Sequence, residues 1–219
     1  MRKSEMKARM DEVVRRLGEL YPDAVCALEY EGDAWRLLVM GRLSAQCTDK
    51  RVNEVSRELF AKFPTPEAMA SAPIGEIEEI VKPCGLYRMK AANIKDASRI
   101  LIEEYDGVLP DEIDELVKLP GVGRKIANML VGDIYGKSAV VCDTHMMRIM
   151  GRIGFYDEGL RDAVKIERIL RAVINDADGS DLCHRAVILG REICDSRSPR
   201  CDSCPLADIC RYSMRRSRG

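Results

Sequence analysis

Apolar residues recur at three- and four-residue spacing along nearly the whole chain, and the two-residue alternation of strands is almost absent. Met6, Met10, Val13, Val14, Leu17 and Leu20 share one helical face that runs out near Tyr21-Pro22. Asp33 is placed to cap a second helix through Trp35, Leu37, Leu38, Val39 and Leu43. The same spacing predicts helices over 50–62, 66–71, 74–81, 90–105, 113–119, 124–135, 144–153, 162–175 and 180–194. Between them stand turn-forming residues: Phe63-Pro64-Thr65-Pro66, Pro83-Cys84-Gly85, Asp106-Gly107, Pro120-Gly121-Val122-Gly123 and Asp178-Gly179. Short helices joined by short connections predict an all-α bundle. No tandem repeat or low-complexity tract interrupts it.

Aromatic residues make up only 5% of the 219 residues, so the core must be aliphatic, with 11 Met to fill gaps. No apolar run approaches the roughly 20 residues of a membrane helix, and the N-terminus lacks the apolar region of a signal peptide. A cytoplasmic protein with no membrane partner is expected. The formal net charge is −1, whereas nucleic-acid binders are usually basic. A basic face is what binding requires, however, and the last nine residues carry Arg211, Arg215, Arg216 and Arg218 without an acid.

The nine cysteines fall into two groups. Cys26, Cys47, Cys84, Cys142 and Cys183 are scattered and read as small buried hydrophobes. Cys194, Cys201, Cys204 and Cys210 crowd into 17 residues, with spacings of six, two and five between them. Disulfides do not suit a chain without an export signal. Four thiolates in one loop suit a [4Fe–4S] cluster, one per iron. Structural zinc usually shows two short Cys pairs, and only Cys201 and Cys204 form one here.

The stretch Leu119-Pro120-Gly121-Val122-Gly123-Arg124-Lys125 has the pattern of a helix-hairpin-helix. Gly121 and Gly123 let the backbone approach a ligand closely, and their amides at a helix N-terminus make a seat for phosphate. Val122 is placed to pin the turn into the interior. Such a hairpin holds the DNA backbone and reads no base. Lys125 lies in the first turn of the second helix, where the helix dipole disfavours an ammonium and partial burial would do the same. A neutral amine there is a nucleophile able to form a Schiff base. Eighteen residues on, Asp143 follows a short apolar run and precedes a helix. It is either a cap or, if the chain doubles back through Gly136-Lys137-Ser138, a carboxylate facing Lys125.

With Leu43-Ser44-Ala45-Gln46-Cys47-Thr48-Asp49, Gly85-Leu86-Tyr87, Lys90-Ala91, Asn93-Ile94 and Asp143-Thr144-His145, these motifs resemble the endonuclease III family from about Leu37 to Cys210. These enzymes are bifunctional DNA glycosylases and apurinic/apyrimidinic lyases of the helix-hairpin-helix superfamily. The resemblance implies base-excision repair of damaged double-stranded DNA, of oxidised pyrimidines in particular, by a monomer that needs no divalent metal and is nucleoid-associated in a prokaryote. It implies that Lys125 attacks C1′ of a flipped-out nucleotide and that Asp143 stabilises the charge developing on the sugar. It further implies that Gln46 and Leu86 enter the duplex, and that Cys194, Cys201, Cys204 and Cys210 hold a structural [4Fe–4S] cluster. Arg197 and Arg200 would face phosphates. Asp49 either lines the base pocket or only caps a helix. His145 and His184 read as scaffold and core.

Two departures adjoin the site. The family is usually apolar where this chain has Gly41-Arg42, and often has Val or Ile where it has Cys142. Two rival functions remain: a monofunctional mismatch glycosylase of the same superfamily, which would generally lack the lysine, and a non-catalytic iron–sulfur DNA-binding protein. The expected architecture is two helical lobes flanking a DNA cleft. One covers 27–137 with the hairpin. The other joins 1–26 to 138–219 and carries the cluster loop, 194–210.

Overall fold

The computed structural model describes residues 2–216. Among these there is no strand. The helices are α1 (Lys3–Leu20), α2 (Ala34–Leu43), α3 (Asp49–Lys62), α4 (Pro66–Ser71), α5 (Ile74–Val81), α6 (Tyr87–Tyr105), α7 (Ile113–Leu116), α8 (Arg124–Asp133), α9 (Thr144–Ile153), α10 (Ala163–Arg171), α11 (Gly179–Glu192) and α12 (Arg211–Arg216). Several starts are set by side-chain caps. Asp33 accepts from Arg36 N at 2.9 Å, Thr65 from Ala68 N at 3.2 Å and Asp162 from Lys165 N at 3.0 Å. Each satisfies a first-turn amide that has no partner within its helix.

Some boundaries differ from the spacing-based expectation. The sixth helix starts at Tyr87, not Lys90, because Leu86 turns into the left-handed region and its carbonyl already accepts from Lys90 N at 3.0 Å. The seventh stops at Leu116, not Leu119: Pro120 disfavours helical geometry in the residue before it, and the chain closes instead through Leu119 N to Leu116 O at 3.1 Å. The eighth ends at Asp133 rather than Tyr135, the tenth at Arg171 rather than Asn175, and the eleventh at Glu192 rather than Cys194. α12 lies in a stretch where periodicity predicted nothing; it holds exposed Arg211, Arg215 and Arg216, while Arg218 lies outside the described residues.

The chain divides into a continuous unit, Cys26–Tyr135, and a discontinuous unit that runs to Val25 and resumes at Gly136. In the continuous unit α2 is the central element. Every residue from Leu37 to Leu43 is buried, as expected of a helix apolar on all sides, and α3, α6 and α8 pack around it. In the discontinuous unit α11 packs on α1 and α9, and α12 on α9. Its core joins Met10, Val13 and Leu17 to Met146, Ile149, Met150, Ile166, Leu170, Leu182 and Leu189. Of the five scattered cysteines, Cys84 and Cys183 are buried, but Cys26, Cys47 and Cys142 are only half-buried. His184 is half-buried too, not core.

α11 begins hard against the loop before α9: a Cβ on Gly179 would lie 2.2 Å from the Ala139 carbonyl oxygen, whereas one on Gly75 in α5 would meet nothing within 4 Å. Gly179→Ala is therefore expected to lower unfolding stability by about 1–3 kcal/mol, the usual cost of overpacking. Gly75→Ala should raise it by about 0.5 kcal/mol through the unfolded chain. Equilibrium denaturation of the two variants checks both signs.

Candidate functional site

The hairpin is α7, the turn 117–123 and α8. Val122 is 5% exposed, and its amide donates to Leu119 O at 3.0 Å, so the turn is anchored from within. Gly121 has φ +77°, which favours glycine, and a Cβ there would lie 2.4 Å from the Asn93 amide and 2.5 Å from Arg42 Nε. Gly123 is extended, at φ −95°, and a Cβ on it would meet nothing. Its backbone thus faces open space at the N-terminus of α8, as an anion seat requires. Lys125 follows in the first turn and is exposed. Partial burial, the condition raised for it above, is not met.

Gly41 and Arg42 account for their own presence. A Cβ on Gly41 would come within 2.7 Å of Met129 Cε and 3.3 Å of Ile126 Cγ2, so glycine lets α2 approach α8 closely. Arg42 is 9% exposed. Its Nε and Nη2 donate to the Asn93 side-chain oxygen at 2.9 and 3.0 Å, and the Asn93 amide donates to Met89 O at 3.2 Å. Burial holds Arg42 below the usual arginine range. The guanidinium supports the hairpin turn from beneath.

Gln46 and Leu86 stand on two turns of the same unit. Both are non-glycine residues in left-handed conformation, with φ +55° and +48°, which L-residues seldom adopt without support. Gln46 is exposed and Leu86 is 51% exposed. Beneath them lies a group the sequence reading quoted but gave no role: Lys90, fully buried, whose Nζ donates to Leu43 O at 2.9 Å, Ala45 O at 2.7 Å and Cys84 O at 2.8 Å. Burial lowers its pKa. Its signal was there to find. Lys90, Ile94, Ala97 and Leu101 share the buried stripe of α6, where an unexplained lysine marks a specific partner. Asp49 is half-buried at the first position of α3. The helix cap is its neighbour Thr48, which accepts from Arg51 N at 3.3 Å, so Asp49 is not the cap.

Asp143 belongs to the discontinuous unit and is half-buried. It caps α9, with Oδ1 accepting from Met146 N at 2.7 Å. His145 packs on Gly190 of α11, where a Cβ would lie 2.4 Å from its Nδ1, and Arg148 Nη2 stands 3.2 Å from the same nitrogen. That is a scaffold position.

The four clustered cysteines are free thiols lining one pocket, together with Arg152, Ile193, Pro199, Arg200, Tyr212 and Ser213. Burial pushes Cys204 up to about 11 and also raises Cys210, and the neighbouring thiols add to both shifts. A bound cation would offset the cost of ionising these two thiols. Backbone amides of Leu206, Tyr212 and Ser213 point at the sulfurs, as second-shell donors to ligating thiolates do. The donor set and its surroundings fit a four-thiolate metal group.

Arg152 closes the loop. Buried in α9, it donates to Cys194 Sγ at 3.2 Å, Asp195 O at 2.7 Å and Ser196 O at 2.8 Å, and it lies 4.7 Å from the Tyr212 ring centroid. Asp195 Oδ1 accepts from Arg197 N at 2.8 Å and Ser198 N at 3.0 Å, which shapes the segment bearing exposed Arg197 and Arg200. In the C-terminal segment, Arg215 pairs with Glu158.

The family of HhH-GPD superfamily base excision DNA repair proteins matches residues 39–176. The iron-sulfur binding domain of endonuclease III matches residues 194–210. Over 204 residues the chain is 41% identical to endonuclease III of Bacillus subtilis strain 168, covering 93% of this chain and 92% of that one. A solved non-covalent endonuclease III–DNA complex superposes with a TM-score of 0.90 at 37% identity, over all of both chains. A trapped endonuclease III–DNA covalent intermediate does so at 0.89 and 37%, over 99% of each. The chain accordingly carries a [4Fe–4S] cluster, and the matched iron-sulfur segment spans the four clustered cysteines.

Replacing Cys204 with Ser should remove most of the bound iron, measured as iron per chain and as visible absorption. Arg152→Met should keep the four thiols and still shorten cluster lifetime in chelator by about tenfold or more, the usual consequence of losing an outer-shell donor.

Proposed function

The chain belongs to the endonuclease III family of helix-hairpin-helix base-excision repair proteins, and from that membership we propose that Lys125 and Asp143 carry out its chemistry. The protein is a bifunctional DNA glycosylase and apurinic/apyrimidinic lyase. The observation that carries the assignment is the position of Lys125: exposed in the first turn of α8, two residues beyond a glycine whose backbone faces open space.

In this reading, damaged duplex DNA, most suitably with an oxidised pyrimidine, is held at the hairpin through the backbone amides of Gly121, Val122 and Gly123. Arg197 and Arg200 add phosphate contacts of the salt-sensitive kind. The target nucleotide leaves the stack, and Gln46 and Leu86 fill its place. Asp49, free of the capping role, lines the base pocket. The Lys125 amine attacks C1′; the bond from C1′ to the base breaks, and the base departs with the electron pair and takes up a proton. Asp143 carries a negative charge beside the sugar as positive charge develops there, and it relays the proton lost by the amine. Opening of the sugar ring leaves a Schiff base between Lys125 and C1′. Loss of a C2′ proton then expels the 3′ phosphate and nicks the strand.

Cys194, Cys201, Cys204 and Cys210 hold the [4Fe–4S] cluster, which when bound supplies iron–thiolate bonds that tie the 194–210 loop together. Arg152 and the backbone amides orient those thiolates. No helix is long and apolar enough to cross a membrane among the described residues, and the protein is read as a cytoplasmic, nucleoid-associated monomer. A monofunctional mismatch glycosylase would have no use for an amine at position 125.

Lys125→Gln should abolish borohydride trapping of enzyme on lesion-bearing duplex and the accompanying nick. Asp143→Asn should slow base release by about 10²–10⁴-fold, the range for loss of a general acid or base. Single-turnover gel assays on a duplex with one defined lesion measure both. Trapping that survives in Lys125→Gln would move the nucleophile elsewhere.

A further inference from the structure

We propose that Lys90 is a positioning residue for lesion recognition, its buried ammonium clamping the two turns that present Gln46 and Leu86 to the duplex. The proposal rests on the reading above that these two side chains enter the helix.

The geometry is specific. An ammonium has three N–H donors, and Lys90 spends all three on main-chain carbonyls of two segments far apart in the chain: Leu43 at the end of α2 and Ala45 directly before Gln46 in one, and Cys84 two residues before Leu86 in the other. The backbone of the same residue works from the other side, since Lys90 N donates to Leu86 O at 3.0 Å. Leu86 is thus gripped before and after by one residue. A short backbone bond closes each turn locally, Cys47 N to Ser44 O and Gly85 N to Lys82 O, both at 3.1 Å. Yet each turn holds an exposed side chain at positive φ, Gln46 at +55° and Leu86 at +48°. A leucine there needs support from outside its own turn. The other two non-glycine residues at positive φ, Glu31 and Asp106, each precede a turn glycine and carry polar side chains.

A lysine needed only for the core would be costly, because burial penalises its charge and no carboxylate is bonded to it. Three carbonyls offset that cost only where they stand. The ammonium therefore fixes Ala45 and Cys84 at the same time, and with them the spacing of the two duplex-penetrating side chains. Pre-set in this way, they need not be ordered when DNA binds, so the gain appears as discrimination between a gapped stack and an intact one.

The test uses the cluster-loaded protein and two duplexes identical except for one tetrahydrofuran abasic analogue, with 2-aminopurine opposite it as a reporter of unstacking. The quantity read is the ratio of the two affinities. In Lys90→Met that ratio should fall about tenfold or more, and the rise in 2-aminopurine emission on binding should be lost with it. Gln46→Ala and Leu86→Ala should each lower the ratio by themselves. If they do and Lys90→Met does not, Lys90 is merely a core cation and the proposal is wrong. If neither loop variant changes the ratio, the duplex-entering reading fails first and takes the proposal with it. Should Lys90→Met lose its helical circular dichroism, hydrogen exchange on the unmodified protein decides. The amides of Cys47 and Gly85 are expected to exchange about a hundredfold more slowly than those of the exposed 31–32 turn. Equal rates would overturn the clamp.

Discussion

Two buried cations at the C-terminal end of α2 brace the turns of the continuous unit, and their hydrogen bonds go to neutral oxygens. Lys90 takes the carbonyl of Leu43, one of those a helix end leaves without an intrahelical partner. Arg42, one residue earlier, takes the side-chain oxygen of Asn93. Both arrangements put positive charge where the helix dipole is negative. Lys90 and Asn93 are three residues apart on α6 and hence share a face. One face of one helix therefore supports the hairpin through Arg42 and the Gln46 and Leu86 turns through Lys90. Removing either cation would leave buried acceptors unmet, which costs more than forming those bonds contributes. The geometry is consequently specified more sharply than an apolar contact would specify it.

The same device appears in the discontinuous unit. Arg152 is a buried cation whose partners are a thiol sulfur and the carbonyls of Asp195 and Ser196. Fork geometry suits it for gathering an irregular loop that has little secondary structure of its own. By contrast, the many ion pairs along α1, such as Arg15 with Glu12 and Glu19, are largely exposed and add little to stability. Net charge is accordingly a poor guide to this protein. Many of its acids pair with exposed cations at the surface, while Arg42, Lys90 and Arg152 are buried against neutral oxygen or sulfur.

Element type was legible in the sequence because helical periodicity and caps are local properties. Asp33 and Asp162 cap the helices they precede, and Pro120 with Gly121 marks the hairpin turn. Helix ends were less legible, since Leu86 and Leu119 are governed by backbone conformations that a hydrophobic pattern does not register. The cysteine spacing announced a metal group, but nothing local announced Arg152, which lies some forty residues away along the chain and meets the loop only through folding. Whether Lys125 is buried was not legible, because burial depends on tertiary packing that a local sequence does not register; it is exposed. Gly41-Arg42 looked like a departure without a reason; its reason is the close approach of α8 and the space above Gly121.

Asp143 illustrates how a bland and a sharp reading of one residue can both hold. Capping α9 occupies one carboxylate oxygen, at 2.7 Å from Met146 N, and thereby fixes the side chain in a single orientation. The carboxylate keeps further acceptor sites, so the cap would also orient it for the charge-stabilising role proposed for it. Lys125 has the complementary property: it is presented on a rigid helix and nothing in its own unit covers it. Electrostatic stabilisation at the sugar is strong only where water is excluded. For an amine that is exposed in the free protein, as the proposed nucleophile is, a bound duplex would supply that exclusion. On that proposal the substrate would complete the site it reacts in, and damage recognition and catalysis would become one event.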